Sequence, residues 1–417
     1  VPAPPTTQIP DVFDPRIFAA GVPHDALRFL RDRHPVCWQD EHEVGIWPAG
    51  PGFWAVTRYA DVWHVLRSPQ DFSSALGATQ IRDPDPADLP FIRRMILNMD
   101  PPEQTRLRRL VTGAFSRRRL ERFTDQITQR ARDLLDTVAG AGECDLPADV
   151  TDEFPLLNLA DLLGVPAADR ALLLEWTNRV IGYQDPEHGS VAYDADGKPI
   201  NPRSPAALAD MFDYAQALAE RKQREPADDV LTALVHAEVD GERLTDAELK
   251  MFFFLLVIAG NDTVRSALPG GVLALVEHPD AYARLRADLT RLPLAIEEML
   301  RWHPPVLTFR RTATRDLTLA GRPIAEGDKV VVYHVSAHRD ERQFPRPDVF
   351  DPAREPNDHL AFGQGPHLCL GAAFARMQMR IFFTEFLTRL PQVELADAPR
   401  RLTSNFINGL KSLLLRW

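Results

Sequence analysis

The chain is short of cysteine, of positive charge and of any nucleotide-binding fingerprint. Among its 417 residues only Cys37, Cys144 and Cys369 are cysteines. Their odd number, without paired or CxxC spacing, excludes a disulfide framework or zinc finger and fits a reducing cytoplasm. The net charge of −11 argues against bulk nucleic-acid binding, which needs a basic face. No glycine-rich dinucleotide or flavin motif and no iron–sulfur cysteine set is present, so electrons for any redox step must come from outside the chain. The opening "VPAPPTTQIPDVFDP" is proline-rich and polar and reads as neither signal peptide nor membrane anchor. A cytoplasmic monomer is expected.

A hydrophobic share of 45% supports a sizeable interior, and the length suits one large domain. Periodicity near 3.6 residues recurs at 102–114, 118–139, 152–163, 167–182, 205–224, 245–277, 280–302 and 371–390, which predicts a mainly α fold. Strand-like runs are few: 53–58, 317–321, 329–335 and a closing hairpin from "RLTSNFI" to "KSLLLRW". They imply a small β-rich part from about 35–70, 305–335 and 395–417, beside a large helical part from about 100–300 and 370–390, within a single domain. Residues 72–100 and 184–203 are irregular and rich in Pro, Gly and Asp. Loops that long predict lids over a buried site. One stretch, Arg106 to Phe123, holds seven arginines against one glutamate, a positive patch or a solvated helix face.

"FGQGPHLCLG", residues 362–371, sets Cys369 in a glycine-rich turn with a helix starting near Leu370 and Gly371. Free backbone N–H groups and a helix N-terminus favour a thiolate there. As a nucleophile it needs a base, and His367 is too close in sequence for a turn to aim it at the sulfur. Zinc needs about four ligands, and none cluster nearby. Haem iron needs a single thiolate on its proximal face. An inert buried thiol is the remaining alternative.

With Phe362, Gly363, Gly365, His367, Cys369 and Gly371 in register, this stretch resembles the cysteine-ligand loop of the cytochrome P450 family. The resemblance makes Cys369 the axial ligand of haem iron, with the glycines letting backbone approach the macrocycle and Phe362 beside the sulfur. It extends from about residue 50 to the C-terminus. Glu298 and Arg301 match the family's structural E-x-x-R pair. "AGNDT", mid-way along an apolar helix, matches the oxygen-activating stretch. There Ala259 and Gly260 leave space, Thr263 hydrogen-bonds at the oxygen site and Asp262 relays protons. Without the family, Thr263 could instead bond a carbonyl one turn back. Arg108, Arg311 and His367 are implied propionate contacts, and Gln104 stands where many bacterial relatives have histidine, keeping amide hydrogen bonding.

What the resemblance further implies is haem b with dioxygen as co-substrate, and electrons from NAD(P)H through a ferredoxin docking near Arg108, Arg109, Arg117 and Arg376. By position, Leu255, Ile258, Ala259, Val306, Leu307, Phe309 and Ile407 are candidate substrate contacts, all apolar. The segments "SNFINGLKSL" and "FRRTATRDLTLAGRPI" look most like bacterial members acting on sterols, branched lipids and terpenoids. A larger polyketide-like or carrier-tethered substrate is the alternative.

Overall fold

A computed structural model describes residues 9–45, 47–181, 184–187 and 204–417. The fold is built on the helix Asp246–Val276. Its start is written in the sequence: Thr245 Oγ1 accepts from the Glu248 N–H at 3.2 Å while Glu248 Oε2 accepts from the Thr245 N–H at 2.8 Å, a capping box. From there the helix is apolar on nearly every side, as a helix surrounded by protein must be. It packs against the helices Glu153–Leu163, Arg170–Ile181, Ala209–Arg224, Leu292–Trp302 and Ala372–Arg389. Its length and apolarity would suffice to cross a membrane, but most of its apolar side chains lie in the principal core.

The β structure is small. A five-stranded sheet runs in the order Val36–Gln39, Phe53–Val56, Lys329–Tyr333, Thr308–Ala313, Phe72–Ser73. Lys329–Tyr333 is buried throughout, and the sheet carries a core on each face. The expected closing hairpin is only partly formed. Arg400–Arg401 pairs with Leu410–Ser412, whereas Leu414–Arg416 lies between Glu394–Leu395 and Glu143–Asp145 in a separate sheet.

Two expected helices are broken. The stretch 280–302 divides into Pro279–Ala287 and Leu292–Trp302, because Asp288 Oδ1 accepts from the Thr290 N–H and Pro293 belongs in the first turn of a new helix. The stretch 118–139 divides into Arg117–Glu121 and Thr124–Ala139 at a point no glycine or proline marks. Residues 72–100 hold only the strand Phe72–Ser73, the helix Leu89–Ile92 and the turn Ile96–Asn98. Of the second expected lid, residues 188–203 lie outside the described residues.

Candidate functional site

The cysteine loop is held from three sides. Cys369 N–H donates to Phe362 O at 2.8 Å, closing the turn. Gln104, buried, donates from Nε2 to Pro366 O at 2.7 Å, so one of its two amide hydrogens secures the loop. Gly365 has φ +70°, and a Cβ there would lie 2.7 Å from Leu66 O. That glycine serves packing against the helix Tyr59–Arg67, not approach to a macrocycle. Gly363 has φ +71°, a conformation that favours glycine. Gly371 caps the helix Ala372–Arg389 with ordinary backbone angles.

Cys369 is an exposed residue, yet surrounding protein pushes its thiol upward. The two facts agree if the residue opens on an internal recess. The Gly371 and Ala372 amides, Arg108 and Arg376 pull the thiol back down, but burial prevails. Burial thus works against a thiolate while these amides and guanidinium groups work for it.

Near the cysteine loop sit two cations that form no ion pair among the described residues, although Asp100 acts on Arg311 from a distance. Arg311, 4% exposed, donates from Nη1 to Arg310 O at 2.9 Å, and burial pushes it down to about 10. Arg108 is half-buried. Neither has an ion-pair partner among the described residues. Arg311's neighbour Arg310 does: it bonds Asp83 at 2.6 Å. His367 Nε2 lies 3.2 Å from Ser74 Oγ. Burial, with Arg311 and Arg108 nearby, pushes it down to about 3, so it offers hydrogen bonding and no charge.

On the central helix, Ala259 is exposed although it lies in the helix's middle. Gly260 faces elsewhere: a Cβ there would meet Leu159 Cδ1 at 3.1 Å. Its smallness serves helix packing and not the space expected above. Thr263 Oγ1 donates to Ala259 O at 2.8 Å, realising the local alternative, so the hydroxyl must rotate before it can donate elsewhere. Asp262 is buried, with Oδ2 unpartnered and Oδ1 3.7 Å from Arg265 Nη1. Burial pushes it up to about 7.

Asp262 and Thr263 help line a cavity of about 910 Å³, its open mouth included. Leu255, Ile258, Ala259, Val306, Phe309 and Ile407 line it as expected. Leu307 does not: it is 1% exposed and belongs to the core on one face of the sheet, because neighbours in extended chain point to opposite sides. Sequence reasoning missed Phe91, Ile92, Met95 and Leu97 from the 72–100 segment, together with Val180 and Phe406. Phe91 meets Phe212 edge-on at 5.3 Å, and Phe212 meets Phe254 at 5.8 Å. This segment lacks the periodicity by which the helices announced themselves; only its length pointed to a lid.

Glu298 and Arg301 are both fully buried and joined by two bonds of 2.7 Å. Arg301 also donates to His338 O and Pro347 O, while Glu298 accepts from Arg354, Asn357 and the Asp351 N–H. The pair ties three segments together. The arginine patch is largely neutralised: Arg109 pairs with Asp240, Arg117 with Glu121, Arg122 with Asp228, and Arg376 with Glu297. Arg376 also stacks over Phe362 at 4.3 Å.

Comparison with known proteins follows this geometry. The family model described as Cytochrome P450 matches residues 191–405. A steroid C26-monooxygenase of Mycobacterium tuberculosis is 37% identical over 407 residues, 96% of this chain and 91% of the relative. A methyl-branched lipid omega-hydroxylase of the same organism is 39% identical over 397 residues, 94% and 90%. A Mycobacterium marinum cytochrome P450 solved in complex with pseudoionone superposes with a TM-score of 0.85 at 36% identity, covering all of both chains.

Proposed function

The chain belongs to the cytochrome P450 family and is a haem monooxygenase using dioxygen on hydrophobic substrates, and from that premise we propose that it hydroxylates a sterol, branched lipid or terpenoid. The mainly apolar cavity that includes Asp262 and Thr263 in its wall carries this reading. Apolar walls select by shape, and one methylene out of place costs roughly 1–3 kcal/mol in transition-state binding.

The residues present fit a haem. Cys369 supplies one thiolate, aided by two amides and two guanidinium groups. Arg108 and Arg311, which form no ion pair among the described residues, suit the two propionates, with His367 as a neutral donor. Phe362 and the turn glycine Gly363 shape the loop beside the sulfur. When bound, the haem supplies dioxygen activation and places one oxygen atom in a C–H bond or alkene, the other leaving as water.

The chain's own residues do the rest. Leu255, Ile258, Val306, Phe309 and Ile407 hold the substrate by contact and exclude water, while Ala259 is the smallest side chain on that wall. Asp262, held near neutrality by burial, gives up and regains a proton at Oδ2. Thr263, once rotated off Ala259 O, passes a hydrogen bond into the cavity. Electrons come from NAD(P)H through a ferredoxin reductase and a ferredoxin that docks on the cysteine side near Arg108, Arg109, Arg117 and Arg376. With three of those arginines already paired, the salt dependence of ferredoxin-driven turnover is expected to be shallow.

Titrating the ferric holoenzyme with sterols, methyl-branched lipids, terpenes and macrolide-like compounds tests the substrate class. Sterols, branched lipids or terpenes should shift the Soret band toward high spin. A shift confined to macrolide-like ligands would overturn the assignment.

A further inference from the structure

A second cavity, about 450 Å³ between its walls, lies on the other side of Asp262. The two cavities share only Asp262 and Ile407. The second is about evenly polar and apolar where the first is mainly apolar: Thr177, Asn178, Arg265, Ser266 and Lys411 share its wall with Leu402 and Leu410. Lys411 is occupied, since Nζ lies 3.0 Å from Asp185 Oδ2 and 2.9 Å from Glu187 Oε1. Arg265 is occupied too. Its Nε and Nη2 grip both Asp152 oxygens at 2.6 and 2.7 Å, and Nη1 donates to Asn178 Oδ1 at 3.1 Å.

That grip fixes how far Arg265 stands from Asp262. At 3.7 Å from Oδ1 it is beyond a normal charge-assisted hydrogen bond of about 2.7–2.9 Å. A guanidinium always carries its proton, so Arg265 cannot relay one; it can only decide whether Asp262 can. The side chains of Arg265 and Asp152 are 22% and 30% exposed, so the second cavity's wall reaches solvent. The groups facing Asp262 are Arg265 on its own helix, Asp152 before the helix Glu153–Leu163, Thr177 and Asn178 on the helix Arg170–Ile181, and Lys411 on the strand Leu410–Ser412.

We infer that Arg265 is a positioning residue, restrained by Asp152 and Asn178 from drawing its 3.7 Å ion pair with Asp262 into a hydrogen-bonded one, so that Asp262 takes protons from the second cavity and delivers them into the apolar one. Over a cycle the Oδ2–H bond breaks toward the first cavity and re-forms with a proton from water admitted by the second, leaving the carboxyl unchanged. This rests on the acid–threonine reading above.

The test is the neutral substitution Asn178→Ala together with Asp152→Asn. Each frees Arg265 to approach Asp262, and only the first changes no charge. The non-catalytic readout is the carboxyl infrared band of Asp262 in the ferric holoenzyme, titrated against pH and identified by its loss in Asp262→Asn. A one-unit fall in midpoint cuts the protonated fraction about tenfold above the midpoint. Proton-limited turnover should fall in proportion, with more peroxide and a larger solvent deuterium effect. Adding Arg265→Gln to Asp152→Asn should restore both midpoint and coupling, which a purely structural ion pair would not do. An unmoved midpoint in Asn178→Ala, or a double variant as impaired as Asp152→Asn, overturns the proposal. If Asp152→Asn fails to load haem, Asn178→Ala decides alone. If Asp262→Asn and Thr263→Ala themselves stay coupled, the acid–threonine reading fails. If they uncouple while the Asn178 and Asp152 variants do not, only the role of Arg265 fails.

Discussion

Replacing Glu298 should cost more than replacing Arg301, although the two form one ion pair. Arg301→Leu removes a guanidinium but leaves Glu298 with Arg354 Nε at 3.0 Å, the Asp351 N–H at 2.8 Å and Asn357 Nδ2 at 3.1 Å. The carboxylate stays compensated. Breaking a buried pair costs about 3–5 kcal/mol, and the remaining partners put Arg301→Leu near about 3 kcal/mol. Glu298→Leu strands two arginines, Arg301 and Arg354, whose side chains are at most 8% exposed. Each keeps carbonyl acceptors, but no countercharge, so about 5 kcal/mol or more is expected. Urea unfolding of each holoprotein, with its haem content, measures the order. Equal losses, or a greater loss in Arg301→Leu, would refute the reasoning that Arg354 shares the carboxylate.

Leu307→Ala should destabilise by about 2–5 kcal/mol as a core truncation without altering substrate affinity, whereas Val306→Ala should alter affinity and leave unfolding nearly unchanged; calorimetric binding and urea unfolding separate them. Gly365→Ala should loosen the cysteine loop and reduce haem retention, read by transfer of haem to apomyoglobin, because its Cβ would strike Leu66 O. Asp262, with a folded pKa raised from 3.8 to about 7 by burial, binds a proton in the native state that the unfolded chain has released between those values. Its contribution to stability therefore declines as pH rises through that window, and Asp262→Asn should flatten this part of the stability–pH curve. Thr263→Ala should raise peroxide release per NAD(P)H consumed, and tight coupling in that variant would remove Thr263 from proton delivery.

Much of the fold was legible where local physics is self-contained. The capping box at Thr245, the apolar run that follows it and the helix after Gly371 each carry their signal within a few residues. The cysteine loop was legible because the ligand needs a single thiolate on a constrained turn. Less visible were features made by partners distant in sequence. Arg109 looks like a free cation until Asp240 is brought beside it, and nothing near Gln104 in the sequence announces its bond to the Pro366 carbonyl. Gly260 reads as oxygen space until Leu159 packs on it. Leu307 was misassigned because one register step in extended chain reverses the face. The lining from Phe91 to Leu97 carries no period at all, and the second cavity exists only where two helices and the C-terminal strand meet.

The most direct test of the functional assignment is turnover under ¹⁸O₂ with ferredoxin, its reductase and NAD(P)H, offered a panel of sterols, methyl-branched lipids and terpenoids and read by mass spectrometry. The expected result is a product from at least one of these lipids carrying a single ¹⁸O atom in a new hydroxyl. Products free of label, or oxidation confined to macrolide-like or carrier-tethered compounds, would contradict it.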